Sequence, residues 1–210
     1  MKLRALPRDP SHEAAQVRDL AVLAEQQGPL THRPCPGCVV ACPCSGSPQC
    51  TCQCNRQCVQ IPARLSSEGD RYPLEPQIAP LVFELACLQV CPPFWSCEGH
   101  TLPDGALFRA PQVWFYSRSL AYPRLMGEWM AALYAQKRLN QPWHVCLTYC
   151  ESPWETGFSL EPDMKQIRTT SLPALQEDSA FMAGRLRREI GDLARRSLAR
   201  VSSDHPAFGP

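Results

Sequence analysis

The chain has 210 residues, 13 of them cysteine, and a formal net charge of +1. This length allows one ordinary core, and the near-zero charge gives no overall basic field that would attract nucleic acid. The N-terminus lacks the apolar run of a secretory signal, and no apolar stretch is long and uninterrupted enough to favour a bilayer span. We therefore expect a soluble, intracellular, cytoplasmic protein without a membrane partner, in a compartment that keeps thiols reduced.

The first predicted element is an N-terminal helix within residues 1–28. Ser11 can cap the segment 11–27, SHEAAQVRDLAVLAEQQ, and Gly28 ends it. Residues 29–62 follow and contain almost no large apolar side chains, so they cannot bury a core of their own. We expect a Cys-rich, metal-stabilised module with little regular structure, which is ordered only by a metal or a cross-link.

The module contains eight cysteines, and their spacing favours metal ligation. Dense, closely spaced cysteines in a reducing compartment more often bind metal than form disulfides. Eight thiolates match two tetrahedral zinc sites, or one multi-metal cluster with bridging sulfurs. Disulfides, and cysteines with no shared role, are the alternatives. The predicted metal ligands are Cys35, Cys38, Cys42, Cys44, Cys50, Cys52, Cys54 and Cys58.

One run within the module, HRPCPGCVVACP, suggests a second kind of metal centre. His32, Cys35, Cys38 and Cys42 follow one another with gaps of two, two and three residues, and Pro43 comes next. The run resembles the cysteine run of bacterial ferredoxins, with His32 in place of the first cysteine. The resemblance implies an iron–sulfur cluster. The spacing of the eight cysteines favours zinc, so we expect zinc as the cofactor and keep an iron–sulfur cluster as the alternative.

The rest of the chain is predicted to be a polar linker over 63–75, an α+β domain over 76–202 and a disordered tail over 203–210. The predicted elements of the domain are a helix over 76–91, a loop over 94–108, a strand over 112–117, a helix over 122–139, strands over 143–150 and 156–162, and one long C-terminal helix over 173–201. This order is typical of an α+β fold in which helices pack on a small mixed sheet.

Four cysteines of this domain form two pairs, each four residues apart. Cys87 and Cys91 lie one turn apart on the predicted helix, and Cys146 and Cys150 share one face of a predicted strand. If the helix packs on the strand, the four thiols converge on a second metal site. The alternative is that each cysteine packs singly in the core as a small apolar residue.

The loop sequence SCEGH is the best candidate for chemistry. Cys97 and His100 stand three residues apart around Gly99, so they are candidate catalytic residues, a nucleophile and its base, with Glu98 to orient the histidine. The alternative is a loop with a buried cysteine, a glycine at positive φ and a solvent-facing histidine. Whether the protein is an enzyme stays open.

The aromatic strand VWFYS allows a third interpretation, because aromatic side chains on a strand can stack on RNA bases. The region resembles the short motif of wybutosine-type tRNA-modifying proteins. The similar features are a helix, an SC-x-G turn followed by a polar residue, and this aromatic strand. The resemblance covers five residues, and His100 stands where that family has an arginine. It implies RNA as a substrate or partner.

These patterns together favour a metal-binding protein. Its Cys-rich module is attached to an α+β domain that binds a protein partner or a small substrate. An enzyme with an active site around Cys97 and His100, or an RNA-binding or RNA-modifying protein, are the alternatives.

Overall fold

The structure is a computed structural model that describes residues 10–25, 74–152, 155–165 and 170–204. The predicted Cys-rich module, most of the linker and the last six residues of the predicted tail lie outside these residues, so the predictions made for them stay predictions. The described elements are, in chain order, α1 (Pro10–Glu25), α2 (Ala79–Cys87), β1 (Pro93–Cys97), β2 (His100–Thr101), β3 (Leu107–Arg109), β4 (Gln112–Ser117), α3 (Ala121–Ala135), β5 (Trp143–Ser152), β6 (Glu155–Pro162), α4 (Leu172–Ala183) and α5 (Leu186–Asp204).

Four strands form one antiparallel sheet in the order β1-β4-β6-β5, and β2 pairs with β3 in a separate antiparallel ribbon. Strands β4 and β5 run in the same direction, as strands joined by a helix commonly do. However, β6 lies between them and runs antiparallel to both. The α+β class is confirmed, but the predicted mixed sheet is wrong among the described strands. The β5–β6 hairpin places its second strand where β4 and β5 would otherwise have paired in parallel.

The core lies between one face of this sheet and the helices. Alternate residues of the two central strands face it, and Val113, Phe115, Phe158 and Leu160 are all at most 5% exposed. Phe115 and Phe158 are register partners whose rings stack with centroids 5.7 Å apart. These residues form one cluster with side chains from α2, α3 and α5, and Leu23 of α1 belongs to it as well. The N-terminal helix is therefore part of the same core as the rest.

A buried carboxylate joins α4 to the loop before β5. Asp178 is 1% exposed and accepts four hydrogen bonds. The backbone N–H of Asn140, its side-chain amide, the N–H of Gln141 and the indole of Trp143 donate to it at 2.8–3.1 Å. Burial raises the pKa of Asp178, and these hydrogen bonds oppose that shift. The carboxylate fixes the start of β5 because Asn140 and Gln141 of the preceding loop and Trp143, the first residue of the strand, all donate to it.

Three of the predicted helix and loop boundaries are wrong. The helix predicted over 76–91 ends at Cys87, because Gln89 takes a positive φ of 58° and turns the chain away. The segment 94–108 contains most of β1 together with β2 and β3 rather than a single loop. The long C-terminal helix is two helices, since the chain turns after Ala183 at Gly184, a weak helix former.

Candidate metal-binding sites

Glu75, Cys97 and His100 come together where the start of α2 meets the end of β1. One ligand atom of each residue lies within 4.8 Å of the other two. Glu75 and Cys97 are 1% and 0% exposed, whereas the side chain of His100 is 28% exposed. The Nε2 atom of His100 is 3.4 Å from Oε1 of Glu75. Zinc with tetrahedral bonds of about 2.0–2.3 Å separates neighbouring ligand atoms by about 3.4 Å, so this pair has the spacing of a tetrahedral edge.

The turn over 97–100 is fixed by hydrogen bonds to the same side chains. The N–H of Gly99 donates to Sγ of Cys97 at 3.4 Å, and the N–H of Glu98 donates to Oε2 of Glu75 at 2.8 Å. Gly99 has a φ of +87°, which glycine adopts without the steric cost of a Cβ. These two hydrogen bonds tie the Cys97 sulfur and the Glu75 carboxylate to the turn that carries His100.

The structure brings Cys97 and His100 together, as the SCEGH motif suggested, and it adds Glu75. The SCEGH pattern predicts that Glu98 orients the histidine, and in the structure Oε1 of Glu75 lies 3.4 Å from Nε2 of the imidazole. The Glu98 carboxylate accepts a 2.8 Å hydrogen bond from the N–H of Gln77. No motif pointed to Glu75, which lies in the predicted polar linker more than twenty residues before Cys97.

A second group of donors lies on β5 and β6. His144 and Glu161 are register partners, and the Nε2 atom of His144 is 3.7 Å from Oε1 of Glu161. Cys146 stands two residues after His144, so both side chains leave the same face of β5. The ligand atoms of all three residues lie within 4.8 Å of one another. Ser159, the register partner of Cys146, donates to Oε2 of Glu161 at 2.8 Å.

The second group is open to solvent and carries negative charge. The side chains of His144 and Glu161 are 39% and 31% exposed. Burial raises the pKa of the Cys146 thiol, and the charge and hydrogen bond of Glu161 raise it further. The Asp163 carboxylate adds to this shift, and the Lys165 ammonium opposes it. A bound cation would reverse the effect of the carboxylates, because it would stabilise the thiolate directly.

The two donor groups occupy opposite edges of one sheet face. Cys97 and Gln112 are register partners on the sheet face that carries Trp95 and Trp114. Ser159 of β6 pairs with Trp114 and with Cys146, so Cys146 lies on this face as well. Cys97 belongs to edge strand β1 and Cys146 to edge strand β5. Three strand spacings of about 4.8 Å separate these edges by about 14 Å. Paired metal ions that share ligands lie only about 3.5–4 Å apart, so each group would bind its own ion.

The other predicted cysteines lie elsewhere. Cys91 is 0% exposed within the core, where burial raises the pKa of its thiol and a hydrogen bond with Ser117 opposes the shift. Cys87 is half-buried at the end of α2. Among the described residues, Cys87 and Cys91 belong to neither donor group. A β-bulge between Leu147 and Tyr149 interrupts the alternation on which the shared face of Cys146 and Cys150 was predicted.

The side chain of Cys150 lies outside what the structure describes. The four-cysteine site therefore stays a prediction. The eight cysteines from Cys35 to Cys58 also lie outside the described residues, and their role as ligands stays a prediction as well.

The strand predicted as an RNA-stacking surface divides its aromatic rings between the two faces of the sheet. Phe115 is buried in the core, whereas Trp114 and Tyr116 are half-buried on the opposite face, beside Phe94 and Trp95. Phe94 stacks on Tyr116 with centroids 4.1 Å apart, and Trp95 lies 5.0 Å from Trp114. The rings thus cover one another in part, and RNA binding stays a prediction.

Within the described segments, no helix combines the length and the apolar character needed to cross a membrane. Comparison of the chain with known protein families, with curated proteins and with solved structures found no match.

Proposed function

We propose that the protein binds transition metal, in the first place zinc, and that its α+β domain holds one ion between Glu75, Cys97 and His100. The supporting observation is the convergence of three different donors from separate parts of the chain on a largely buried position. The Cys-rich module over 29–62 is a further metal-binding segment in this proposal, with zinc or an iron–sulfur cluster. The α+β domain then serves to bind a protein partner or a small substrate.

The chemistry of the donors favours zinc in the domain. A thiolate, an imidazole and a carboxylate are all common zinc ligands, and three protein ligands leave a fourth position for water or another group. Iron–sulfur clusters are held mainly by cysteine thiolates, so that alternative applies to the Cys35–Cys58 segment and not to this group.

The burial of Glu75 also argues for a cation. An ionised carboxylate that is 1% exposed is costly unless charge or hydrogen bonds compensate it. One oxygen accepts the N–H of Glu98, and the other faces the imidazole of His100. A divalent ion bound by this oxygen, the imidazole and Cys97 would add a compensating positive charge beside the buried carboxylate.

Elemental analysis of anaerobically purified full-length protein tests the proposal, together with an absorbance spectrum for iron–sulfur content. We expect Cys97→Ser, His100→Gln and Glu75→Gln each to lower the zinc content by about one ion per chain, because three-ligand sites rarely keep zinc with two ligands. The control is Glu128→Gln, which changes a carboxylate that pairs with Arg124 on α3 and belongs to neither donor group. Circular dichroism confirms that each variant is folded. Unchanged zinc in all three folded variants would reject the proposed site.

A second candidate function is nucleophilic catalysis by the same residues. The observation that favours it is the buried Glu75 carboxylate against the imidazole of His100, with Cys97 within 4.8 Å of both. A nucleophile, a base and an acid that orients the base are the parts of a catalytic triad. The complete burial of Cys97 counts against this function, because a substrate must reach the sulfur.

Cysteine alkylation distinguishes the two candidates. Cys91 is the matched control, since it is also 0% exposed. In metal-free native protein, an activated Cys97 would react with iodoacetamide far faster than Cys91, because the thiolate is the reactive form. Equal, slow labelling of both residues would reject the catalytic function and leave the metal-binding proposal untouched.

A further inference from the structure

We infer that His144, Cys146 and Glu161 form a second, solvent-accessible site for a divalent transition ion such as zinc. The inference is independent of the site at Glu75, because the two groups share no residue and their cysteines lie on opposite edge strands. It differs from the second site predicted from the sequence, which joined Cys146 to three other cysteines.

The sheet itself provides the geometry of this site. His144 and Cys146 are alternate residues of β5, and Glu161 is the register partner of His144 on β6. Antiparallel partners place their side chains about 5 Å apart at Cβ, and the His144 and Glu161 ligand atoms reach 3.7 Å. That separation is close to the edge of a zinc tetrahedron, about 3.4 Å. Ligands on paired strands move little, so the site is largely preorganised.

A neighbouring hydroxyl orients the carboxylate. Ser159 is 2% exposed, and its hydroxyl donates to Oε2 of Glu161, whereas Oε1 faces His144. A buried donor that holds one carboxylate oxygen leaves the other directed at the ion, as outer hydrogen bonds do in metal sites. Ser159 therefore acts as a positioning residue in this proposal.

The exposure of the site determines what it binds besides the ion. Three protein ligands leave one tetrahedral position, and the 39% and 31% exposure of His144 and Glu161 opens that position to solvent. Water or a small anion can occupy it. This arrangement is the one that catalytic zinc sites have, whereas structural zinc sites use four protein ligands.

Residue-specific alkylation tests the site without interference from the other cysteines. Full-length reduced protein is treated with iodoacetamide with and without zinc, and the peptide carrying Cys146 is followed by mass spectrometry. We expect zinc to slow alkylation of Cys146 roughly tenfold or more, since a bound thiolate is not available to the reagent. His144→Gln and Glu161→Gln keep Cys146 but should abolish this protection.

Two control variants make the result specific. Glu128→Gln changes a carboxylate of α3 that pairs with Arg124, away from the site, and should leave protection unchanged. His100→Gln removes a ligand of the first group and should also leave it unchanged, so failure of one site does not imply failure of the other. No zinc protection of Cys146 in the folded wild-type protein would overturn the inference. Undiminished protection in both His144→Gln and Glu161→Gln would overturn it as well.

Cobalt tests the open position. Cobalt(II) is added to the wild-type protein and to Cys146→Ser, and the difference spectrum isolates the ion at this site. We expect the visible bands of the difference spectrum to shift when azide is added, because azide enters the fourth position. A difference spectrum that azide leaves unchanged would overturn the open coordination position.

Discussion

Substitution of Gly99 by alanine probes the close packing that holds the turn between Cys97 and His100. A Cβ at Gly99 would overlap Cδ1 of Leu172 and would lie 3.0 Å from Cδ of Pro111 and 3.1 Å from the carbonyl oxygen of Arg109. The leucine methyl can rotate away, but the proline ring and the carbonyl are fixed. Gly99 also has a positive φ, which costs an alanine about 1–2 kcal/mol.

Gly105 supplies a matched control, since it has a φ of +84° and no atom within 4 Å of a built Cβ. Gly105→Ala should lose only the backbone term, about 1–2 kcal/mol. Gly99→Ala should lose that term and a further 1–3 kcal/mol or so for overpacking, about 2–5 kcal/mol in all.

The assay is equilibrium unfolding in urea, followed by tryptophan fluorescence. It is carried out on metal-free protein, because a bound ligand itself stabilises the folded state and the variants are expected to bind zinc differently. If Gly99→Ala lowers the free energy of unfolding no more than Gly105→Ala does, the close packing around the turn is refuted. We also expect Gly99→Ala to lower zinc occupancy at Glu75, Cys97 and His100, while Gly105→Ala preserves it.

Further predictions concern three buried groups. Asp178→Asn replaces a carboxylate oxygen that accepts two N–H donors by an amide group, so the free energy of unfolding should fall by about 2–4 kcal/mol. The control is Asp192→Asn at a more exposed carboxylate, which should change the free energy of unfolding by less than about 1 kcal/mol. Burial, with smaller effects of Asp19 and Cys91, raises the pKa of Tyr122 to about 12, so stability should fall as pH rises from the unfolded value of 10.0 towards 12. This loss should be smaller in Tyr122→Phe, which unfolding measured against pH will show. Cys91, which is 0% exposed, should resist iodoacetamide in the native protein and react only on unfolding, as peptide mapping would reveal.

Local patterns predicted the elements well where periodicity was strong. The strand QVWFYS is β4 with the bounds that the sequence indicated, and the helix predicted over 122–139 corresponds to α3, which buries Trp129. The pairing of strands depended on distant parts of the chain. Nothing in the sequence of β6 shows that it lies between β4 and β5, so the antiparallel order of the sheet was beyond local reasoning.

The same distinction, between contacts close in sequence and contacts made by distant packing, applies to the candidate sites. Cys97 and His100 are close in sequence, and their proximity was predictable from a short glycine turn. Glu75 reaches them only through the packing of α2 against the end of β1, which no spacing encodes. The spacing of His144 and Cys146 did mark a shared strand face. That signal was missed because Cys146 was paired with Cys150, and the β-bulge after Leu147 breaks that longer alternation.

The described residues on either side of the Cys-rich segment are buried in the same core. Leu23 near the end of α1 is buried in the core, and Leu74 and Glu75, where the described chain resumes, are buried as well. The backbone of Ala24 also accepts a hydrogen bond from Arg195 of α5. Leu23 and Leu74, which lie before and after the intervening segment in the chain, thus belong to the same hydrophobic core.

Closing a long loop has an entropic cost that rises slowly with its length, and cross-links within the loop shorten its effective length. Metal bound by the loop should therefore tighten the docking of α1, and docked α1 should raise the affinity of the loop for metal by the same factor. The far end of the loop leads directly into Glu75. Because Glu75 is a proposed zinc ligand, continuous chain joins the Cys-rich segment to the proposed zinc site as well as to α1.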